Sequence, residues 1–223
     1  MFISIYQNNM NLKVRNRTEE ELLVRKKEFL KICDILDYHK INFFVTSGVL
    51  LGAIRDNSFI KWDWDVELST YAKDFNSKID LISDTLEKSG FKIIKILREE
   101  HNLKIDFKGL YPEDVTFYTI YGWQYSKKKD IFWRTDLSIP SKFLLKLSKF
   151  NFLDRQFNCP SNVEEFLTFI YGNWKKPIRT SNKKVYLTKN FKKQPLFYTI
   201  LINKIFRIIY KIFKIIKNLI IIK

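Results

Sequence analysis

The stretch between Ile41 and Leu68 constrains the fold more than any other part of the sequence. Residues Ile41 to Thr46 are mostly β-branched and aromatic, as in a strand, and the pair Ser47-Gly48 interrupts them. A short helical pattern follows from Val49 to Arg55, and Phe59 to Leu68 then alternate as in a second strand. A strand, a tight turn, a helix start and another strand predict a sheet covered by helices.

The patterns continue on both sides of this stretch. Thr18 and Glu21 have the spacing of a capping box at the start of a helix that extends to about Lys40. A later helix is predicted to end at Gly90, a natural C-terminal stop. Three more strands are predicted at Phe91–Leu97, Leu103–Phe107 and Asp114–Tyr121. This order predicts an α+β fold with a mixed sheet flanked by helices.

The C-terminal part is predicted to be helical. From Asp130 onward the pattern favours helices, one starting near Pro140 and another spanning Asn162 to Tyr171. The predicted organisation is an N-terminal extension over residues 1–17, one domain over 18–195 and a basic tail over 196–223.

Composition excludes several classes of protein. A chain of 223 residues that is 46% hydrophobic can bury one core, so it is neither disordered nor a large multidomain protein. Cys33 and Cys159 lie far apart with no Cys/His cluster around them, which argues against a disulfide scaffold and a zinc finger and favours a reducing compartment. The net charge of +16 favours anionic partners, although the abundance of Lys, Asn and Ile also fits an AT-rich genome.

Three acidic residues carry the strongest chemical signal. Asp63, Asp65 and Glu67 alternate with large apolar residues, so a strand would place all three carboxylates on one face. Neighbouring carboxylates would then be about 6 to 7 Å apart along the strand. Such crowding is relieved by Mg²⁺, which takes one or two carboxylates and completes its shell with water and phosphate oxygens. The alternative is a solvated acidic edge strand.

The Ser47-Gly48 turn supplies a second feature of the same kind. A turn that opens a helix presents free backbone N–H groups and the positive end of the helix dipole, both of which suit a phosphate. An anion site beside a cation site predicts a phosphoanhydride substrate.

Two motifs in the sequence resemble those of one enzyme family. The run Leu50-Leu51-Gly52-Ala53-Ile54-Arg55, the pair Phe59-Ile60 and the segment Trp62-Asp63-Trp64-Asp65-Val66-Glu67 form the first motif. Pro160 and the later Tyr171-Gly172-Asn173-Trp174 with Pro177 form the second. In this order they resemble the LicD and fukutin family of phosphotransferases with a nucleotidyltransferase-like fold. The resemblance extends roughly from Glu21 to Pro177.

The resemblance implies a reaction and a set of acids. Family members move a phospho-alcohol, such as phosphocholine or ribitol phosphate, from a CDP-linked donor to a hydroxyl of a surface glycan. By this resemblance Asp65 and Glu67 bind Mg²⁺ or Mn²⁺. Asp63 is expected to support them, either as a further ligand through water or as the base for the acceptor hydroxyl.

The donor phosphates are expected at the turn. Ser47 and Gly48 would hold them, and Arg55 would provide a counter-charge. Arg55 could equally be a structural partner of Asp56.

Two departures from the family pattern leave alternatives open. The family carries Asp where this chain has Glu67, and a later strand of the family supplies an acid where this chain has Thr116. Asp114 or Asp106 could replace that ligand. If neither does, the chain would be a non-catalytic member that binds glycans or acts as a scaffold. The basic charge also allows an RNA nucleotidyltransferase, which the closing motif disfavours, so nucleic acid is not the expected partner.

The tail predicts contact with a membrane. Lys204, Arg207, Lys211 and Lys214 fall on one narrow stripe of a helix whose other residues are apolar. Residues 197–223 are therefore expected to lie on a membrane surface, the alternative being a helix docked on the domain or on a second subunit. With no secretory signal or spanning helix in the first seventeen residues, the expected location is the cytoplasmic face of a membrane, where glycan acceptors are built on lipid carriers.

Overall fold

The computed structural model describes residues 15–100, 102–111, 116–135, 137–180, 182–188 and 190–191. The predicted tail helix and Asp114 lie outside these residues.

In the described part of the chain, helices and strands alternate up to the third helix, seven strands follow, and two helices end it. The helices are α1 (Glu19–Tyr38), α2 (Ser47–Asp56), α3 (Ala72–Lys88), α4 (Val163–Tyr171) and the short α5 (Lys183–Tyr186), with a 3₁₀ turn at Ser141–Phe143. The strands are β1 (Phe43–Val45), β2 (Asp65–Tyr71), β3 (Lys92–Glu99), β4 (Asn102–Lys108), β5 (Phe117–Ser126), β6 (Ile131–Arg134), β7 (Leu137–Pro140), β8 (Leu147–Phe152) and β9 (Arg155–Pro160).

The strands form one mixed sheet and a separate hairpin. The sheet order is β1-β2-β5-β4-β3, and β6 and β7 extend it from the end of β5. Strands β2 and β5 are parallel, whereas their other pairings in the sheet are antiparallel. Among the described strands, β8 and β9 pair only with each other. The predicted α+β fold with a mixed sheet flanked by helices is confirmed.

The two faces of the sheet differ in character. One face is apolar and packs on α1 and α3. Its buried side chains include Val66, Leu68, Ile105, Phe107, Tyr118 and Ile120. The opposite face is polar because strand side chains alternate. It carries Asp65, Glu67, Ser69, Lys104, Asp106, Thr119 and Tyr121. The fold therefore leaves its chemistry-bearing side chains on the face away from α1 and α3.

The predicted start of α1 is confirmed. The Thr18 hydroxyl accepts a hydrogen bond from the Glu21 backbone N–H, and the Glu21 carboxylate accepts one from the Thr18 N–H. Arg15 pairs with the same carboxylate and lowers the pKa of Glu21 to about 2.

The second strand is shorter than predicted, and this moves Asp63. Strand β2 begins only at Asp65, because a turn precedes it in which the Asp63 N–H bonds to the Ile60 carbonyl at 3.0 Å. Arg17 and Arg25 both donate to the Asp63 carbonyl oxygen, which stabilises the turn. The prediction that all three acids alternate on one strand is therefore wrong for Asp63, which lies in the preceding turn.

The prediction of helices between Asp130 and Pro160 is also wrong, since this segment forms β6 to β9. Asp130, Leu153 and Asp154 adopt positive φ values between 53° and 63°, which tight hairpin turns require and helices exclude. The β8–β9 hairpin is stabilised by aromatic packing, with the Phe157 ring 5.5 Å from that of Phe29. The predicted helix up to Tyr171 is present as α4.

Among the described residues, no helix is both long and apolar enough to span a bilayer.

Both cysteines are free and buried. Burial raises the pKa of the Cys33 thiol and raises that of Cys159 to about 11. Because the thiolate is the reactive form, we expect neither thiol to react with Ellman's reagent in the native protein at pH 8, and both to react after denaturation. Absorbance of the thiolate that the reagent releases measures the extent of reaction. Rapid reaction of one native thiol would contradict the burial of that side chain.

Candidate functional site

A cavity of about 220 Å³ lies where α2 and β2 begin and where the segment after α4 folds back over the sheet. Six of the residues predicted for the acid and phosphate sites line it: Ser47, Gly48, Arg55, Asp63, Asp65 and Glu67. The structure therefore brings together side chains that are separated by up to twenty positions in the sequence. Their roles remain predictions.

The acids crowd one another as predicted. Burial raises the pKa of the Asp63 carboxyl, while the nearby Arg25 guanidinium and a hydrogen bond with Asp65 oppose this shift. Glu67 adds to the rise through like-charge repulsion. The pocket thus holds negative charge that a cation would stabilise.

The first turn of α2 opens onto the same cavity. Thr46, the N-cap residue, makes no side-chain bond to the helix; its hydroxyl lies 2.7 Å from that of Ser69 instead. Ser47 has a φ of 56°, an uncommon value for a residue other than glycine. A Cβ on Gly48 would overlap the Asp63 carboxylate, so the absence of a side chain lets that acid lie against the helix.

The predicted pairing of Arg55 with Asp56 is confirmed, whereas its role toward donor phosphates stays a prediction. Its Nε and Nη2 atoms donate to the two Asp56 carboxylate oxygens at 2.9 and 2.7 Å, while the side chain also lines the cavity. Its guanidinium is therefore already engaged by a neighbouring carboxylate.

Arg134 is a site residue that the sequence analysis missed. Its Nη2 atom lies 3.0 Å from Glu67 Oε2, and the side chain is buried in the cavity wall. Burial alone would lower the pKa of Arg134, but the Glu67 carboxylate and the Tyr121 hydroxyl together more than offset this, and the pKa is raised. No sequence pattern marks Arg134 as a site residue, because it lies on β6, in the segment predicted to be helical.

Thr116 lies outside the cavity. It is fully buried, and its hydroxyl accepts a hydrogen bond from Arg25 Nη2 at 3.2 Å on the side of the sheet covered by α1. The next residue on that face, Tyr118, donates to Glu28 of α1 at 2.6 Å. In the parallel β2–β5 register, Glu67 is paired with Thr119, so the residue that faces it on β5 is Thr119.

Asp106 is on the same face but is not part of the cavity lining. Its carboxylate accepts a hydrogen bond from Thr119 Oγ1 at 2.9 Å and pairs with Lys104 Nζ at 2.6 Å. The structure therefore gives Asp106 other partners than a metal at the pocket, and Asp114 lies outside the described residues.

The closing motif forms the opposite wall of the cavity. Tyr171, Asn173 and Trp174 line it, and the turn between α4 and Trp174 uses Gly172 at a φ of 64°. The chain then returns along the end of α4, where the Thr188 N–H bonds to the Ile170 carbonyl at 2.8 Å. Burial, together with the nearby acids, raises the pKa of the Tyr171 hydroxyl well above its usual value.

The donor chemistry of the cavity fits a hard divalent cation. Carboxylate oxygens are the ligands of Mg²⁺ and Mn²⁺ in phosphate-handling sites, where one or two carboxylates suffice. Among the described residues, no three Asp, Glu, His or Cys side chains form a metal-binding group, and Glu67 pairs with Arg134. Asp63 and Asp65 are hydrogen-bonded to each other, and Asp65 and Glu67 lie two positions apart on β2. These residues would hold the ion.

Comparison with known proteins gives one family. The model of the LicD/FKTN/FKRP nucleotidyltransferase domain matches residues 40–162, more than half of the chain. Mouse ribitol 5-phosphate transferase FKRP is 24% identical over 154 residues, which cover 63% of this chain and 30% of the relative. Human ribitol-5-phosphate transferase FKTN is 27% identical over 177 residues, covering 74% of this chain and 37% of the relative. The chain thus spans about a third of the length of these relatives.

Solved structures show a weaker likeness. The solution structure of the antibiotic-resistance factor ANT(2'')-Ia is similar with a TM-score of 0.47 and 13% identity, over 74% of this chain and 80% of that one. A crystal structure of ANT(2'')-Ia with adenylyl-2''-tobramycin gives a TM-score of 0.43 and 12% identity, over 61% and 69%. The family model, in contrast, matches more than half of the chain, and this match shows that the chain belongs to the LicD/FKTN/FKRP nucleotidyltransferase-domain family.

Proposed function

We propose that the protein transfers a phospho-alcohol from a CDP-linked donor to a glycan hydroxyl and that it depends on a divalent metal ion. The observation that carries the proposal is that Asp63, Asp65 and Glu67 line one cavity with the first turn of α2. Membership of the family supports transferase activity, and the chemistry of the cavity supports a substrate that is a phosphate ester.

The reaction needs few chemical groups. The acceptor oxygen forms a bond to the phosphorus of the phospho-alcohol, the bond from that phosphorus to the CMP oxygen breaks, and the acceptor loses its proton. Asp65 and Glu67 would hold Mg²⁺ or Mn²⁺, which would neutralise charge on the phosphates. Asp63 would accept the proton or orient the acceptor, and the N–H groups at Ser47 and Gly48 would bind phosphate oxygens.

The relatives favour one alcohol over the others. Both matched proteins are named ribitol phosphate transferases, so we propose ribitol phosphate first and phosphocholine second. The acceptor is proposed to be a glycan of cell-surface polysaccharide or glycoconjugate biosynthesis, carried on a lipid at the cytoplasmic face of a membrane, with residues 197–223 in contact with that surface.

Incubation with a panel of CDP-alcohols, Mn²⁺ and glycan acceptors, followed by measurement of CMP, tests the proposal. We expect one CDP-alcohol, CDP-ribitol first, to give metal-dependent CMP release that EDTA abolishes. Absence of release with every donor, in a protein that still binds Mn²⁺, would instead support the non-catalytic glycan-binding alternative. Absence of both release and Mn²⁺ binding would refute the metal site as well.

A further inference from the structure

Arg134 has the properties of a phosphate-binding residue rather than of a purely structural one. We propose that Arg134 binds the donor phosphates beside the acids, an inference that rests on the proposed function. The side chain is 5% exposed and belongs to the cavity lining, so a ligand that fills the cavity meets it after water has been displaced. In a dry site a charged donor interacts more strongly with an anion than it does in water.

One N–H donor of the guanidinium, at Nε, is unused among the described residues. Its Nη2 bonds to Glu67, whereas its Nε has no hydrogen-bond partner among the described residues. A guanidinium carries five N–H donors in a planar fork, which matches two oxygens of a phosphate group. Arg134 can therefore gain bonds on ligand binding without first breaking its pair with Glu67.

Aromatic packing holds the guanidinium in place. Its central carbon lies 3.7 Å from the centroid of the Tyr121 ring and 5.0 Å from that of Trp123. Trp123 is itself fixed by its Nε1–H bond to the Ser69 hydroxyl at 3.0 Å. A cation ordered in this way loses little conformational freedom when it binds a phosphate.

The other cationic side chains of the cavity are less suited to this role. Arg55 has its Nε and Nη2 committed to Asp56. Lys176 lines the cavity but is solvent-exposed, where water screens its charge. Arg134 instead lies against Glu67, so phosphates that it binds would lie next to the proposed metal ligands.

Calorimetric titration with CDP at saturating Mg²⁺, and with cytidine as the uncharged probe, tests this inference. We expect Arg134→Met to weaken CDP binding at least about tenfold and Arg134→Lys about threefold, because charged hydrogen bonds are lost. Cytidine binding should stay within twofold of the wild type. Arg98→Met makes the same change in net charge on the surface, at a pair with Asp80, and should leave CDP binding unchanged. Arg55→Met should weaken CDP binding less than Arg134→Met does.

Manganese titration followed by electron paramagnetic resonance distinguishes two roles of Arg134, binding of the donor phosphates and positioning of Glu67. The inference is overturned if Arg134→Met weakens Mn²⁺ binding while CDP affinity at saturating metal stays unchanged, because Arg134 would then only position Glu67. It is equally overturned if Arg55→Met has the larger effect on CDP. If Arg134→Met does not fold, the inference is tested by Arg134→Lys alone. It then requires the expected loss of about threefold in CDP affinity, and an unchanged affinity would overturn it. A wild-type protein that binds CDP through Arg134 but releases no CMP would refute the proposed function alone.

Discussion

Replacement of Asp65 by asparagine is expected to lower metal-dependent CMP release at least about 100-fold, with a comparable loss of Mn²⁺ affinity. Asp65 is hydrogen-bonded to Asp63 and shares β2 with Glu67, so it lies at the centre of the acidic group. Asparagine keeps the shape of the side chain but removes the charge that a divalent ion needs. CMP assays and Mn²⁺ titration by electron paramagnetic resonance measure the two effects.

Although Asp65→Asn should lower activity, it should leave the stability of the fold unchanged or raise it. Because Asp65→Asn removes one of several crowded carboxylates, the melting temperature should be equal to or above that of the wild type. Asp154→Asn is the matched control, since Asp154 is 94% exposed on the β8–β9 turn and pairs only weakly with Lys26 at 3.1 Å. Equal CMP release by Asp65→Asn and the wild type would refute the assignment of this acid to the metal site.

Replacement by alanine is expected to affect stability at Gly52 and activity at Gly48, the two glycines of α2. A Cβ on Gly52 would lie 2.5 Å from the Ser58 carbonyl oxygen and 2.9 Å from the Ile60 backbone nitrogen. Backbone cannot move aside cheaply, so Gly52→Ala should lower the free energy of unfolding by about 3 kcal/mol. Chemical denaturation measures this change.

Gly48→Ala should instead damage the site and spare the fold. There the added methyl group meets only the Asp63 carboxylate, which can rotate away. Since alanine favours a helix over glycine by about 1 kcal/mol, the free energy of unfolding should stay within about 1 kcal/mol of the wild type. CMP release should fall at least about tenfold, because Asp63 is displaced from the cavity. A stable Gly52→Ala protein, or a fully active Gly48→Ala protein, would contradict this packing around α2.

Local sequence patterns were sufficient for the elements that depend on near neighbours. The capping box of Thr18 and Glu21, the turn at Ser47 and the stop near Gly90 each involve residues a few positions apart, and each was predicted. Alternation alone does not predict where β2 begins, because it extends back to Phe59 whereas pairing with β5 begins at Asp65. Arg17, which precedes α1, and Arg25 of α1 stabilise the turn before β2 by donating hydrogen bonds to the Asp63 carbonyl oxygen.

The strands after Asp130 could not be recognised in the same way. Their turns place residues such as Leu153 in left-handed conformations, which the residue type does not predict. Contacts with α1 and β1 stabilise the β8–β9 hairpin. The face of the sheet on which Thr116 lies could not be predicted for a related reason. A shift of one residue in register moves a side chain to the opposite face, and only the pairing of Glu67 with Thr119 fixes that register.

The amino-acid sequence by itself determined the family, the sheet with its covering helices, and the acids and turn that line the cavity, because these depend on short motifs. Only the tertiary structure decided that Arg134 lies against Glu67, that Asp56 engages Arg55, and that Thr116 faces away from the cavity. These are contacts between strands and helices distant in the chain. Their geometry depends on sheet register and packing, which no local pattern encodes.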